Sequence, residues 1–308
     1  MIGLGGIGGV TALRIAASGK HTLGLAAGRH AEAIRAGGLQ AGSVQALVER
    51  VGETLPKLDA PYDLILLATR TDDSEKALAP AAPLLAPDGA VVCLQNGLPE
   101  ERAGRVVGEG RVLGTAIGWS ASALSPGKYV VTGQGKYTLG GKSPRLHDAA
   151  AALSLAFPVR VTDNLPGARW SKLAMNCAMS TLGAVSGFSL GDLAAHRRTR
   201  GLALAVMREV SEVAHQRGVR LEPIAGIRPD LLTRLPAPLG HAVVWLVCAP
   251  RRGQRSGMIA RLAAGRPAGV EDLNALIDRP LNQALVALVK RIERGELKPD
   301  PRNLETLP

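Results

Sequence analysis

Gly3-Leu4-Gly5-Gly6-Ile7-Gly8, close to the start of the chain, fits the pattern Gly-x-Gly-x-x-Gly. In such a turn the first glycine permits a sharp change of direction and the second lets the main chain approach a pyrophosphate. The third lets the next helix pack closely on a strand. Ordinary strand–helix turns also show this pattern. Here an Ala- and Leu-rich helical run over 10–18 follows at once, which favours the turn of a dinucleotide-binding domain.

The strand before this turn is short. Only Met1 and Ile2 precede Gly3, whereas a strand usually has about five or six residues. We therefore expect the first strand to lack its start and the centre of the sheet to be weakened.

Apolar runs typical of strands alternate with helical runs through the first half of the chain. Strands are predicted over 21–26, 62–68 and 89–94, and helices over 10–18, 31–36 and 74–85. Alternation of this kind, with strands that are apolar throughout, predicts a parallel sheet covered by helices on both faces.

Beyond residue 164 the pattern becomes helical, with helices predicted over 168–186, 197–217, 237–247, 254–264 and 281–294. The predicted fold class is therefore α/β. A Rossmann domain with a doubly wound parallel sheet spans 1–164, and an all-α C-terminal domain spans 165–308.

The composition limits the classes of partner. The 308 residues carry 37 Lys and Arg against 26 Asp and Glu, a net charge of +11. These basic residues are scattered, and aromatic residues make up only 3% of the chain, so a nucleic-acid partner is not expected. A basic surface that attracts an anionic cofactor fits better.

Cysteine and hydropathy patterns point to a cytoplasmic protein without a metal. Cys93, Cys177 and Cys248 are far apart in apolar runs, with no metal-ligand spacing. No apolar run is long enough for a membrane span, and no signal peptide precedes the glycine turn. We expect no membrane partner and leave the oligomeric state open, with a homodimer among the alternatives.

The predicted second strand leads into Ala27-Gly28-Arg29-His30. A site that prefers NAD usually places an Asp or Glu near this point for the ribose 2′-hydroxyl, and none is present. Arg29 is placed to meet a 2′-phosphate, and Arg70, just past the strand over 62–68, adds a second positive charge. These features favour NADP over NAD.

A polar row interrupts an otherwise apolar helix. Lys172, Asn176 and Ser180 are spaced by four residues, so they share one face of the helix. A lone lysine is usually a solvated side chain, and a lone asparagine is often a core amide. Three polar residues in register favour a face that lines a cleft.

Four motifs occur in order along the chain: the glycine turn, Leu94-Gln95-Asn96-Gly97, Trp170-x-Lys172-Leu173-x-x-Asn176, and Ser256-x-Met258 with Asn274. With these motifs the chain resembles the ketopantoate reductase (2-dehydropantoate 2-reductase) family over nearly its whole length. The resemblance implies NADPH-dependent reduction of a 2-oxo acid, with ketopantoate converted to pantoate for pantothenate and coenzyme A synthesis.

The resemblance also implies roles for individual residues. Lys172 would be the catalytic lysine, and Asn176, Ser180 and Ser256 would bind the substrate. The glycine turn would hold the cofactor, Asn96 would face its nicotinamide, and a stretch around Ala121 would border it.

Several positions depart from the family pattern, mostly in the substrate half: Ser180 where a second Asn is frequent, Gly257 in a Ser-Ser-Met motif, Gly269 in place of a cleft glutamate, a shortened stretch before Pro280, and Arg29 two residues beyond the usual arginine place at Ala27. Glu271, two residues past Gly269, would face elsewhere if its segment is helical. A reductase of another 2-oxo or 3-oxo acid, and an NADP-binding protein that has lost turnover, therefore stay open. Lys172 favours an enzyme.

Overall fold

The computed structural model describes residues 1–224, 226–248 and 253–307. The chain divides into two compact units, Met1–Leu165 and Pro166–Pro308. Within the described ranges, no helix combines the length and apolar character that crossing a membrane requires.

The first unit alternates strands and helices. Its strands are β1 (Gly24–Ala26), β2 (Leu39–Ala41), β3 (Val44–Ala46), β4 (Arg50–Gly52), β5 (Tyr62–Leu67), β6 (Leu85–Cys93), β7 (Val112–Ile117), β8 (Ser120–Ser125), β9 (Lys128–Gly133), β10 (Tyr137–Gly141) and β11 (Val159–Val161). Its helices are α1 (Gly6–Ala17), α2 (Ala31–Gly37), α3 (Ser74–Leu78), α4 (Glu100–Val107) and α5 (Leu146–Ser154).

Two residues of the first strand join the parts of the main sheet. One part is β1 with β4, and the other has the order β11-β10-β7-β6-β5. Ile2 pairs in parallel with Ala26 of β1 on one side and with Leu67 of β5 on the other. The first strand is therefore as short as expected, and Ile2 connects β1 and β5 at the centre of the sheet by one bridge to each.

Side chains that alternate along the strands pack on both faces of this sheet. Ile65, Leu67, Val91 and Cys93 share an apolar cluster with residues of α3 and α4. Leu66, Val92 and Leu113 point the other way and pack with residues of α1 and α5. The predicted α/β class with a covered sheet is confirmed. The pairing is mostly parallel, but β10 runs antiparallel to β7.

A second, smaller sheet has the order β3-β2-β9-β8 and contacts α1. Tyr129 of β9 occupies the space beside Gly9 of α1, where a Cβ atom would overlap its ring. This sheet therefore packs directly behind the helix that follows the glycine turn.

The helix predicted over 74–85 is wrong in its length. Helix α3 ends at Leu78, a short 3-10 turn spans Ala82–Leu84, and β6 begins at Leu85. Pro80 and Pro83 explain the difference, because proline has no N–H to donate and disfavours a helical residue before it.

The second unit is helical, and every helix predicted beyond residue 164 is present with shifts of a few residues at the ends. Its helices are α6 (Leu165–Ser186), α7 (Leu190–Ala195), α8 (Arg197–Gln216), α9 (Pro229–Leu232), α10 (Ala237–Cys248), α11 (Gly257–Ala263) and α12 (Pro280–Glu293). The start of α11 at Gly257 rather than 254 follows from Ser256, whose side chain caps the helix by accepting from the N–H of Ile259.

Candidate active site

The first and third glycines of the turn have no room for a side chain. Gly3 has φ +88°, and a Cβ atom there would lie 2.7 Å from the main-chain nitrogen of Thr69. A Cβ atom on Gly8 would overlap the carbonyl oxygen of Gly3 and lie 2.8 Å from Cβ of Ala68. These two glycines let the turn and α1 pack against the end of β5, as the sequence pattern predicts.

Gly5, the second glycine of the turn, faces open space, whereas Gly3 and Gly8 are closely packed. It precedes the first residue of α1 in an extended conformation, and a Cβ atom added to it would meet no atom within 4 Å. The first N–H groups of a helix have no partner within the helix, and the first turn of α1 carries no acidic residue. The open space beside Gly5 and the positive end of α1 therefore fit a pyrophosphate.

Strand β8 borders the start of α1. A Cβ atom on Gly6 would overlap the carbonyl oxygen of Ala121 and lie 3.0 Å from Cα of Ser122. The structure thus brings Ala121 and the glycine turn together through main-chain contact.

Tyr129 supports the glycine turn and was not singled out by the sequence. Its hydroxyl donates a hydrogen bond to the carbonyl oxygen of Leu4 at 3.2 Å. Burial raises the pKa of Tyr129 to about 12, so the hydroxyl keeps its proton at neutral pH. A tyrosine in an alternating strand carries no sequence signal for this contact.

Gln95 and Asn96, which follow β6, lie at the same edge of the sheet as the glycine turn. The side-chain amide of Gln95 donates to Ser74 at 2.7 Å and to Thr69 at 3.3 Å, and Thr69 is the residue packed against Gly3. The hydroxyl of Thr71 donates to the carbonyl oxygen of Asn96 at 3.0 Å, while the Asn96 side chain is exposed. Asn96 therefore presents its amide from a fixed main chain at this edge.

Arg29 and Arg70 follow the two strands that flank Ile2. Arg29 is exposed just past β1, and its Nε donates a hydrogen bond to Nε2 of His30 at 3.5 Å. Arg70 follows β5 and pairs with Asp72 at 3.5 Å. Arg29 is thus the more available cation, because Asp72 offsets part of the charge of Arg70.

An acidic residue that no local sequence pattern points to, Glu53, lies beside the main chain that precedes Arg29. The carbonyl oxygen of Glu53, the residue after β4, accepts from the N–H of Gly28 at 3.0 Å, and the Glu53 side chain is exposed. The neighbouring strand, rather than β1 itself, supplies this carboxylate. Only the pairing of β4 with β1 reveals its position.

The polar row of α6 lies at the border of a buried face. Lys172, Asn176 and Ser180 are half-buried, whereas Leu173 and Cys177 beside them are fully buried. Burial raises the pKa of the Cys177 thiol, so this cysteine stays protonated and is a core residue.

Ser256 is brought to the end of this row. Its hydroxyl donates to the carbonyl oxygen of Ser180 at 3.1 Å, although the two residues are 76 positions apart. Ser180 and Ser256 are therefore neighbours in the second unit.

Neither Gly269 nor Glu271 supplies the carboxylate of the family pattern. Gly269 has φ +86°, and a Cβ atom there would lie 3.2 Å from a guanidinium nitrogen of Arg261. Glu271 lies in a short 3-10 turn and forms an ion pair with Lys290 of α12. Its carboxylate is thus directed to α12.

The predicted cofactor residues all lie in the first unit and the predicted substrate residues in the second. Among the residues that the structure describes, no group of three or more His, Cys, Asp and Glu is arranged to hold a metal ion. The fold and the glycine turn together define a protein of the Rossmann type, with a turn fit for a dinucleotide in the first unit and a helical second unit.

Two family models match this chain. The model described as ketopantoate reductase PanE/ApbA matches residues 1–143, and the ketopantoate reductase PanE/ApbA C-terminal model matches residues 164–293. The chain belongs to the ketopantoate reductase family.

Curated relatives agree with this assignment. A 2-dehydropantoate 2-reductase of Mesorhizobium japonicum is 27% identical over 338 residues, covering 96% of this chain and 98% of that protein. The enzyme of the same name from Pyrococcus horikoshii is 27% identical over 227 residues, covering 72% of this chain and 75% of that protein.

Solved structures share the fold. A PanE/ApbA family ketopantoate reductase of Ralstonia eutropha JMP134 superposes with a TM-score of 0.77 at 26% identity, covering 96% of this chain and 98% of that one. A D-mandelate dehydrogenase with bound NADH and anilino(oxo)acetate gives a TM-score of 0.81 at 21% identity over the same shares of the two chains.

Proposed function

We propose that this protein reduces a 2-oxo acid with NADPH, with ketopantoate as the first candidate substrate and pantothenate synthesis as the corresponding role. The observation that carries the proposal is the row of Lys172, Asn176 and Ser180 on α6, in a chain that also has a glycine turn fit for a pyrophosphate. A protein that only binds the dinucleotide has no need for a lysine in this row.

The residue types suit the reduction of a ketone. When bound, the cofactor supplies a hydride, and negative charge then develops on the carbonyl oxygen of the substrate. The ammonium group of Lys172 would stabilise this charge and deliver a proton to the oxygen. Asn176 and Ser180 would orient the polar end of the substrate by hydrogen bonds, with Ser256 next to Ser180.

The preference for NADPH rests on Arg29 and Arg70 and on the absence of an acidic residue directly after β1. Glu53 favours NADH instead. Its exposed carboxylate, just past the neighbouring strand β4, is the kind of group that accepts a hydrogen bond from a ribose 2′-hydroxyl. The D-mandelate dehydrogenase that shares the fold holds NADH. The two dinucleotides should therefore be compared directly.

Steady-state assays with a panel of 2-oxo acids, each with NADPH and with NADH, test the proposal. We expect NADPH oxidation that depends on the 2-oxo acid, and a higher kcat/KM with NADPH than with NADH. Tight NADPH binding without turnover of any 2-oxo acid would contradict it and support the binding-protein alternative. A higher kcat/KM with NADH would refute the cofactor preference alone.

A reductase of another 2-oxo acid is the second candidate, favoured by Gly269 and by the pairing of Glu271 with Lys290. A site with a buried group for a substrate hydroxyl rejects analogues that lack it by about ten-thousandfold or more. The ratio of kcat/KM for ketopantoate to that for its analogue without the hydroxyl decides between the candidates. A ratio below about a hundredfold would favour the second candidate, because a missing carboxylate weakens recognition of the hydroxyl. A larger ratio would show that another residue has replaced it.

A further inference from the structure

A buried polar cluster lies against α6, next to the proposed substrate row. The side-chain amide of Asn274 donates to the carbonyl oxygen of Cys177 at 3.1 Å and to Oδ1 of Asn282 at 2.8 Å. Its own oxygen accepts from the hydroxyl of Thr181 at 2.5 Å. Thr181, Asn274 and Asn282, together with Glu209 of α8, are called the Asn274 cluster below.

The cluster is anchored at its far end by Glu209. One carboxylate oxygen of Glu209 accepts from the main-chain N–H of Leu281 at 3.0 Å. The other accepts from the N–H of Asn282 at 2.9 Å and from its side-chain amide at 2.7 Å. The carboxylate thus caps the start of α12, where a negative charge is favoured, and ties α8 to α12.

The direction of every hydrogen bond in the cluster follows from its two ends. A carboxylate and a main-chain carbonyl only accept, so Asn282 must donate to Glu209 and Asn274 must donate to Cys177. The oxygen of Asn282 then faces the amide of Asn274, and the oxygen of Asn274 is left to accept from Thr181. Only one set of donor and acceptor directions satisfies every member of the cluster. A fully satisfied buried network of this kind holds its members in one geometry.

The cluster holds α6 on the side next to the polar row. Cys177 and Thr181 are four residues apart and share one face of α6. Each follows directly after a member of the row, Asn176 and Ser180, and so points about 100° away from it around the helix. A rotation of α6 about its axis would break the bond to the Cys177 carbonyl and would move Lys172 and Asn176 by the same angle.

Thr181, Asn274 and Asn282 are fully buried, so a broken bond would leave a polar group without water. We propose that the Asn274 cluster fixes the rotation of α6 and thereby positions Lys172 and Asn176 for reduction of the substrate. Its members are positioning residues, and the inference rests on the proposed function.

Two variants of Thr181 separate its hydroxyl from its shape. Thr181→Val keeps the shape and removes the donor, whereas Thr181→Ser keeps the donor and removes a methyl group. We expect Thr181→Val to lower kcat/KM about tenfold, mostly in kcat, since small misplacements of reacting groups cost up to about a hundredfold. Thr181→Ser should stay within about twofold of the wild type, and NADPH binding should be unchanged in both.

Ser211→Ala is the matched control. Its buried hydroxyl donates to the carbonyl oxygen of Met207 within α8 and makes no bond to α6. We expect kcat/KM of this variant to stay at the wild-type value. Equal losses in Thr181→Val, Thr181→Ser and Ser211→Ala would show a general packing effect and overturn the proposal.

A double-mutant cycle with Asn176→Ala tests the coupling. If the cluster positions Asn176, removing this amide should cost less in the Thr181→Val protein than in the wild type. Simple multiplication of the two effects would contradict the proposal.

Hydrogen exchange of the α6 amides gives a readout that does not depend on turnover. Thr181→Val should speed exchange within α6, whereas Thr181→Ser and Ser211→Ala should not. Unchanged exchange in Thr181→Val would refute the proposed role of the Asn274 cluster in holding α6. A wild-type protein that turns over no 2-oxo acid would instead refute the proposed function, and the exchange data would still decide whether the cluster holds α6.

Discussion

At the scale of single residues, the hydroxyl of Tyr129 in β9 stabilises the glycine turn by its hydrogen bond to Leu4. Tyr129→Phe removes its hydrogen bond to Leu4 and leaves the ring packed against Gly9. We expect the dissociation constant for NADPH to rise by about three- to tenfold, the equivalent of one net hydrogen bond, while kcat at saturating cofactor is kept. Nicotinamide fluorescence measures the binding.

Tyr62→Phe provides the control, because the Tyr62 hydroxyl also donates to a carbonyl, that of Pro56, but at the start of β5. Equal changes in cofactor affinity for the two variants would show that the contact with Leu4 has no special role.

Arg29 carries the cofactor preference at the same scale. Arg29→Ala should weaken NADPH binding by about tenfold or more and leave NADH binding nearly unchanged, since only NADPH has a 2′-phosphate to form charge-assisted hydrogen bonds. Arg70→Ala should have a smaller effect, because Asp72 already pairs with this guanidinium. Parallel titrations with both dinucleotides check this, and equal losses for the two would contradict the role of Arg29.

Sequence patterns predict those candidate site residues whose spacing is local. Lys172, Asn176 and Ser180 are four residues apart, so helical periodicity alone places them on one face. Tyr129 and Leu4 are 125 residues apart, and Asn274 and Cys177 are 97 apart. Contacts over such separations depend on how strands and helices pack, and no local pattern encodes them.

At the scale of elements, Arg145 links three parts of the first unit. Its guanidinium pairs with Asp63 of β5 at 3.1 Å, Asp88 of β6 at 2.7 Å and Asp148 of α5 at 3.0 Å. Hydrogen bonding to Arg145 lowers the pKa of Asp88 below its ordinary value of 3.8. We expect Arg145→Met to lower Tm by a few degrees at neutral pH, as loss of a charge network does.

The pH dependence has a definite sign. Because the pKa of Asp88 is lower in the folded state, its contribution is present above pH 3.8 and is lost as pH falls through the folded-state pKa. The Tm difference between the wild type and Arg145→Met should therefore shrink in acid. Arg302→Met is the comparison for a local pair, because Arg302 binds Asp300, two residues away, and lowers the pKa of that carboxyl to about 2. Its Tm difference should shrink in acid with the same sign but be smaller at neutral pH, since this pair links no separate elements. A difference that grew as pH fell would contradict this account.

Elements were predictable where apolar periodicity is strong, as in β5, α6 and α8. The predictions failed at helix ends where local chemistry overrides periodicity, at Pro80 just past α3 and at the Ser256 cap of α11. The small sheet of β2, β3, β8 and β9 was not predicted, because β2 and β3 are short and β8 and β9 are largely exposed to solvent.

At the scale of the whole molecule, the two units carry different parts of the proposed reaction. Residues proposed to contact the dinucleotide lie in Met1–Leu165, and residues proposed to act on the substrate lie in Pro166–Pro308. Variants of Tyr129 and Arg29 should therefore change cofactor affinity, whereas variants of α6 should change turnover. A variant of one unit that altered only the property assigned to the other would contradict this division.

The central claim is that Lys172 stabilises and protonates the carbonyl oxygen of a 2-oxo acid. The most direct test is kcat of Lys172→Ala on the best 2-oxo acid with saturating NADPH, beside Lys298→Ala, which removes an exposed lysine of the same unit. We predict a fall of about two or more orders of magnitude for Lys172→Ala, the usual scale for a general acid, with unchanged NADPH binding and with Lys298→Ala near the wild type. A Lys172→Ala protein that keeps near-normal kcat would contradict the account.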